Sequence, residues 1–347
     1  MKFKRSKQVK NYADVKISNP NFLERKNWDD FQKFHKEKTN EFYKVFRNEV
    51  NKHNLNYIHK NALLSLVGIP RYGGDLRVSD RTVKIKLHDF LHHGLNEHLP
   101  RQEDGYHFYF VTIVDDSWIF SFDHPVGKFY RIRDRIQRVL TDKGFFLGFG
   151  SIEVDVQKHS HLFNGKRALT GHGHLVLCLK EDIPAEEIEN SLESHFNSAV
   201  TPRTVHVAKI DHDDISKIAS YVSKVPPCAK LRWVQKGKRG VYSTNKPVEL
   251  APREVVRLLE IYSEMHINSL FIGIGKKGEI AKNLKQSIKT QFTQWHKDQI
   301  GRNKGHPYSS REIYISETRQ TWAQIRKKYG FHDMAPSELV YVRRSKT

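Results

Sequence analysis

The sequence predicts an α+β protein. Its centre is an antiparallel sheet of split βαβ connectivity with helices on one face, flanked by mostly helical N- and C-terminal regions. Three observations predict it. Between residues 105 and 228, short aromatic and β-branched runs are separated by stretches of helical periodicity. Their order is strand–helix–strand–strand–helix–strand, then a final helix. Outside that span, over 1–104 and 229–347, apolar residues recur mainly at helical spacing.

Taken in order, Asn27 can cap a first helix, with Asp30 three residues on in the manner of a capping box. Trp28, Phe31, Phe34, Phe42, Val45 and Phe46 supply its apolar stripe. LVGIPRYGGD (66–75) holds Pro and three Gly and reads as a loop. From there to residue 100 the pattern is short, ambiguous and rich in His. YHFYFVTIV (106–114) is a buried strand, which HPVGKF breaks. RIRDRIQRVLTDKG (131–144) has Ile132, Ile136, Val139 and Leu140 on one helical face, with Gly144 as a stop.

FFLGFGSIEVDVQ (145–157) is the second strand, KHSHLFNGKRALTG a polar connection, and HGHLVLCLK (172–180) the third strand. Pro184, Glu186 and Glu187 suit a helix first turn, continued by Ile188, Leu192 and Phe196. RTVHVAKI (203–210) is the fourth strand. DHDD opens the helix ISKIASYVSKV, which Pro226 and Pro227 stop. Beyond 228, a basic segment leads to helices over REVVRLLEIYSEM, about 279–296, and TRQTWAQIRKKY, the last capped by Ser316 and ended by Gly330. The topology of the centre is ferredoxin-like, or RNA-recognition-motif-like, with one sheet face free for chemistry.

Composition narrows the class. Apolar residues are 38% of 347, with 20 Phe, 14 Tyr and 5 Trp, enough for a real core. No apolar run approaches a membrane span, and the basic N-terminus lacks the apolar segment of a secretory signal. With only Cys178 and Cys228, neither a disulfide framework nor a cysteine-based zinc site can form, and a cytoplasmic location is expected. The net charge of +20 favours a polyanionic partner, and nucleic acid over a membrane because no single amphipathic segment carries the excess.

The chemistry is concentrated on two strands and a helix. In a strand, residues two apart share a face, so His172 and His174 project together while Gly173 turns away. Glu153 and Asp155 share a face of the preceding strand. Two imidazoles and one carboxylate on neighbouring strands make a three-ligand divalent-cation site, with Glu153 or Asp155 as the third ligand. His159 and His161 repeat the spacing but precede a polar loop, so they are the weaker pair. On the helix ISKIASYVSKV, Ile215, Ile218, Ala219, Val222 and Val225 form an apolar arc with Tyr221 at its edge. Lys217 and Lys224 lie four residues before and three after Tyr221, where positive charge favours both a phenolate and a phosphate.

HGH opening an apolar strand, then YVSK after the next strand, resembles the HUH endonucleases, and within them the single-tyrosine rolling-circle replication initiators of plasmids and phages. FVTIVDD (110–116) is similar to their first strand motif. The His pair precedes the tyrosine, as in replication initiators and single-tyrosine transposases, and the middle residue of the pair is Gly173 rather than a bulky apolar one. The resemblance covers about residues 105–226. It implies the HUH palm, Tyr221 as nucleophile on single-stranded DNA at an origin that can form a hairpin, and Mg²⁺ or Mn²⁺ held by His172, His174 and Glu153. Lys224 would neutralise developing charge, and host replication proteins such as a helicase would be partners.

Other features admit two readings. In KLRWVQKGKRG (230–240), Trp233 can stack on a base while Arg232, Lys236, Lys238 and Arg239 track phosphates, or the segment can be a solvated linker. GIGKKG (273–278) fits Gly-x-Gly-x-x-Gly but no following strand completes a dinucleotide unit, so it reads as a basic turn. The rivals to a replication initiator are a transposase of the same chemistry, a primase-like polymerase using Glu153 and Asp155, and a non-catalytic nucleic-acid binder with aromatic residues on the sheet.

Overall fold

The computed structural model describes residues 28–52, 77–123, 129–158, 160, 163, 166–198, 203–214, 218–219, 222–223, 229–234, 241–243, 248–275, 279–302, 320, 322–327 and 329–331. Its elements are α1 (Trp28–Lys52), α2 (Arg81–His98), β1 (His107–Ser121), α3 (Phe129–Asp142), β2 (Gly148–Lys158), β3 (Ala168–Leu179), α4 (Ala185–Glu193) and β4 (Val205–Ile210). They continue with β5 (Lys230–Val234), β6 (Val241–Ser243), α5 (Pro252–Glu264), α6 (Ile267–Leu270), β7 (Phe271–Ile274) and α7 (Glu279–Arg302). Residues 218–219, 222–223, 320, 322–327 and 329 are also helical. Among the described residues, no helix is long and apolar enough to cross a membrane.

The protein is α+β. The strands run in the order β4-β1-β3-β2, all antiparallel, with β3 and β1 central. The far edge of β2 is shared. β7 pairs antiparallel with Gly148–Ser151, and β5 pairs in parallel with Gln157 and Lys158 before turning into a hairpin with β6. Between those two neighbours the Val154 carbonyl accepts a hydrogen bond from the Tyr262 hydroxyl of α5, at 3.2 Å. A buried strand edge must find such partners.

Helices cover both faces, which corrects the expectation of helices on one face only. Ile132 and Ile136 of α3 and Ile188 and Leu192 of α4 pack with Tyr109, Val111, Ile113, Val154 and Leu175. On the other side, Val83, Leu87, Leu91 and Leu95 of α2 and Leu284, Ile288 and Phe292 of α7 pack with Phe108, Phe110, Phe149, Val176 and Cys178. The reason lies in the strands. β1 and β3 are apolar at both parities, so neither face can remain in water.

Other boundaries differ from the sequence reading, among them the start of β3 at Ala168, inside the stretch expected to be a polar connection. β1 continues to Ser121, past the Asp115-Asp116 pair that marks an apparent strand end. Its register against β3 slips between Val114 and Ile119, and the buried Asp115 fills the irregularity. It accepts from the backbone N–H of Ser117 at 2.9 Å and of Asn197 at 3.0 Å, and pairs with Arg135 at 3.3 Å. An acidic residue can thus sit inside a bulged strand because its carboxylate is fully used. The His-rich stretch left unassigned is the helix α2. Asp80 caps it, accepting from Thr82 N–H at 2.8 Å and Val83 N–H at 3.0 Å.

α1 and α2 meet through a stack of rings. Trp28 lies between His92, at 3.5 Å, and His88, at 4.4 Å, and His88 stacks in turn on His35 at 4.4 Å. Burial lowers the pKa of His35 from 6.5 to about 3 and of His92 to about 4, and lowers that of His88 as well. These imidazoles are neutral when folded but protonate near 6.5 when unfolded, so the unfolded chain binds more protons below that pH. Stability from this stack is therefore present above pH 6.5 and lost as pH falls towards 4. The urea midpoint should drop over that window, and His92→Phe, which keeps a stacking ring without a proton site, should flatten the drop. An identical pH profile for the variant would contradict this account.

Candidate metal centre

The register of β2 and β3 sets Glu153 directly opposite His172, and Ser151 opposite His174. All three chemistry-bearing side chains therefore emerge on the face beneath α2 and α7. The Nε2 atoms of both histidines converge on one carboxylate oxygen, Oε2 of Glu153, at 3.2 Å for His172 and 3.1 Å for His174. Ligand atoms of Glu153, His172 and His174 all lie within 4.8 Å of one another, and the cluster could hold a metal ion. Their exposures are 6%, 2% and 1%, so the site lies within the fold.

Asp155, the other carboxylate the sequence offers, lies two residues further along β2, opposite Thr170. Its Oδ2 lies 3.7 Å from His172 Nε2, beside the cluster and outside it. His174 is held by residues of β1. Thr112 of β1 is the register partner of His174, and its hydroxyl lies 2.9 Å from His174 Nδ1. The Phe110 ring stacks on His174 at 5.7 Å. A contact on the far ring nitrogen turns Nε2 towards the carboxylate and fixes the ring, as supporting residues of metal sites do. Nothing at the sequence level marks Thr112, because its role depends on which strand lies beside β3.

Gly173, between the two histidines, faces α3. A Cβ there would lie 2.4 Å from Ile136 Cδ1. The small residue lets α3 close on the strand behind the site, which explains why a bulky residue is missing from the middle of the pair.

Of the apolar arc expected around Tyr221, the described members Ile218, Ala219 and Val222 are buried with Phe108, Phe110 and Val176. The Ser151 hydroxyl donates to the Val222 carbonyl at 2.8 Å, one strand position across from His174. Tyr221, Lys217 and Lys224 lie outside the described residues, as do Lys236, Lys238, Arg239, His159 and His161. Arg232 and Trp233 lie on β5, opposite Ser243 and Tyr242 of β6. Gly273, first of the GIGKKG stretch, is inside β7 and accepts from Gln137 Nε2 at 2.7 Å, so that stretch begins within a strand.

Tyr262 was not singled out by sequence. Its phenol is buried and its pKa is held well above 10 by burial and by the Glu153 and Asp155 carboxylates, so it is a hydrogen-bond donor in the neutral form.

No protein-family model matches the chain, and no curated protein or solved structure does either. The structure contributes a buried Glu153, His172 and His174 cluster that could hold a metal ion.

Proposed function

We propose that the protein is a metal-dependent HUH-type endonuclease that nicks and rejoins single-stranded DNA through Tyr221, acting in the cytoplasm to start rolling-circle replication of a plasmid or phage. The observation that carries the reading is the convergence of two imidazole Nε2 atoms on one carboxylate oxygen, at 3.1 and 3.2 Å, on neighbouring strands. The strand order β4-β1-β3-β2, with α3 and α4 as connections, supports a split βαβ palm. Val222, next in the chain to Tyr221, lies against Ser151 at the level of His174.

A divalent ion, Mg²⁺ or Mn²⁺, on Glu153, His172 and His174 would supply a Lewis acid to a phosphoryl oxygen. Thr112 and Phe110 hold His174 in its orientation. The Tyr221 oxygen forms a bond to phosphorus as the P–O3′ bond breaks, giving a 5′-phosphotyrosine and a free 3′-hydroxyl. The phenolic proton leaves to solvent and the 3′ oxygen acquires one. Lys217 and Lys224 favour the phenolate and the phosphate. The basic excess, including Arg232, Lys236, Lys238 and Arg239 around Trp233, tracks the strand, and a host helicase would extend the opened duplex.

A sheet-face binding platform has less support. Phe108, Phe110 and Phe149 are 1%, 8% and 2% exposed and cannot offer stacking surfaces.

The test is a covalent-adduct assay with Mn²⁺ and single-stranded DNA from the non-coding region next to the protein's own coding sequence. Wild type should give a denaturation-resistant shifted band. Tyr221→Phe should abolish it, and EDTA should suppress it. Binding of that DNA with no adduct under any condition would overturn the enzyme reading. An adduct that survives Tyr221→Phe would show a different nucleophile.

A further inference from the structure

Val222 follows Tyr221 in the chain and is helical, and four residues beyond it stands Pro226. An α-helical carbonyl accepts from the backbone N–H four residues later, and proline has none to give. The sequence itself therefore removes the donor that would serve the Val222 carbonyl within its helix. Ser151 of β2 supplies one from outside. Its hydroxyl donates to that carbonyl at 2.8 Å, and the residue is only 1% exposed. The neighbouring Ser223 hydroxyl donates to the Ala219 carbonyl at 2.6 Å, so this stretch relies on side-chain hydroxyls as well as on its backbone.

Ser151 stands beside the Glu153, His172 and His174 cluster. It is two residues before Glu153, so the two side chains share a face of β2, and it is the register partner of His174. Val222 packs with Phe108, Phe110 and Val176, and the Phe110 ring is the one stacked on His174. Val176 lies two residues after His174 on β3 and so shares its face. The backbone that follows Tyr221 is thus tied to the histidine-bearing face, at the level of a candidate metal ligand.

We propose that Ser151 is a positioning residue for the nucleophile. By holding the Val222 carbonyl, its hydroxyl fixes the chain next to Tyr221 against the strand that bears Glu153. It thereby sets the spacing between the attacking oxygen and a phosphate held at the cluster. The proposal rests on the Tyr221 reading above and adds to it a residue that acts through the backbone. Attack on phosphorus tolerates little misplacement, and a shift of about 1 Å can cost a hundredfold in rate.

The experiment compares wild type with Ser151→Ala in the full chain, with circular dichroism to check folding. Hydrogen exchange read by mass spectrometry should be faster by about threefold or more over residues 218–225 in the variant, with β3 unchanged. Adduct formation in a single turnover, at saturating Mn²⁺ and saturating single-stranded DNA, should slow by about ten- to a hundredfold. The dissociation constants for Mn²⁺ and for the DNA should stay within about twofold of wild type, which a general loosening of the sheet would not allow. Pro226→Ala, added to Ser151→Ala, returns an N–H four residues after Val222 and should recover part of the rate. A folded Ser151→Ala variant with wild-type exchange and wild-type rate would overturn the proposal. So would a variant whose Mn²⁺ affinity falls in step with its rate, because the hydroxyl would then support the cluster and not the helix. Wild type that forms no adduct, or one that survives Tyr221→Phe, would overturn the Tyr221 reading itself, and this proposal with it.

Discussion

The His172→Ala/His174→Ala variant should lose Mn²⁺ binding by at least about a hundredfold, a larger loss than any single supporting contact contributes. Both Nε2 atoms meet the same Glu153 oxygen, so removing them leaves one carboxylate where three ligands converge. The most direct reading is thermal. A ligand bound only to the folded state stabilises it by about 2.7 kcal/mol at a hundred times its Kd, so wild type should melt higher with Mn²⁺ and the variant should not. Thr112→Val gives the graded case. It keeps the shape of the residue and removes the hydroxyl that meets His174 Nδ1 at 2.9 Å, so affinity should fall about tenfold while all three ligands remain. A Mn²⁺-dependent melting shift of undiminished size in the double variant would place the ion elsewhere.

Gly150→Ala should be among the most damaging single substitutions in the sheet. Its Cβ would fall 2.0 Å from the His174 carbonyl oxygen and 2.4 Å from Leu175 Cα. Both are backbone atoms of β3, so no side chain can turn aside and the two strands must part. A cost of about 3 kcal/mol or more is expected, with Tm falling by on the order of 5 °C. The effect should reach the Glu153, His172 and His174 cluster, because the displaced segment of β3 carries His174 while Glu153 stays on β2. Calorimetric melting and Mn²⁺ titration of the same variant test both parts. Gly173→Ala is the comparison. Its Cβ meets Ile136 Cδ1, the end of a side chain, so it should cost less and leave Mn²⁺ affinity nearly intact. Equal melting temperatures for Gly150→Ala and wild type would contradict the close approach of β2 and β3.

The elements were largely legible where one local pattern decides them. The run from β1 to β4 could be read from aromatic and β-branched strands alternating with amphipathic helices. α2 was legible in principle. Asp80 is a capping residue and Val83, Leu87, Leu91 and Leu95 recur every four positions, but the interspersed histidines and lysines masked the stripe. β7 was hidden for another reason. Four residues, FIGI, carry too little periodicity to be told from a turn, and only the edge of β2 gives them a partner.

By itself the sequence determined the pairing of His172 with His174 and of Glu153 with Asp155, because a strand's two-residue period allows no other arrangement. It determined the net charge of +20, which depends on composition alone. It could not choose between Glu153 and Asp155, since both share one face. The register that sets Glu153 across from His172 made that choice. Nor could it show that the histidine-bearing face is roofed by α2 and α7, that Thr112 stands behind His174, or that Lys84 lies over the Tyr262 ring. Those relations join residues far apart in the chain, and they arise only when both apolar faces of the sheet must be covered at once.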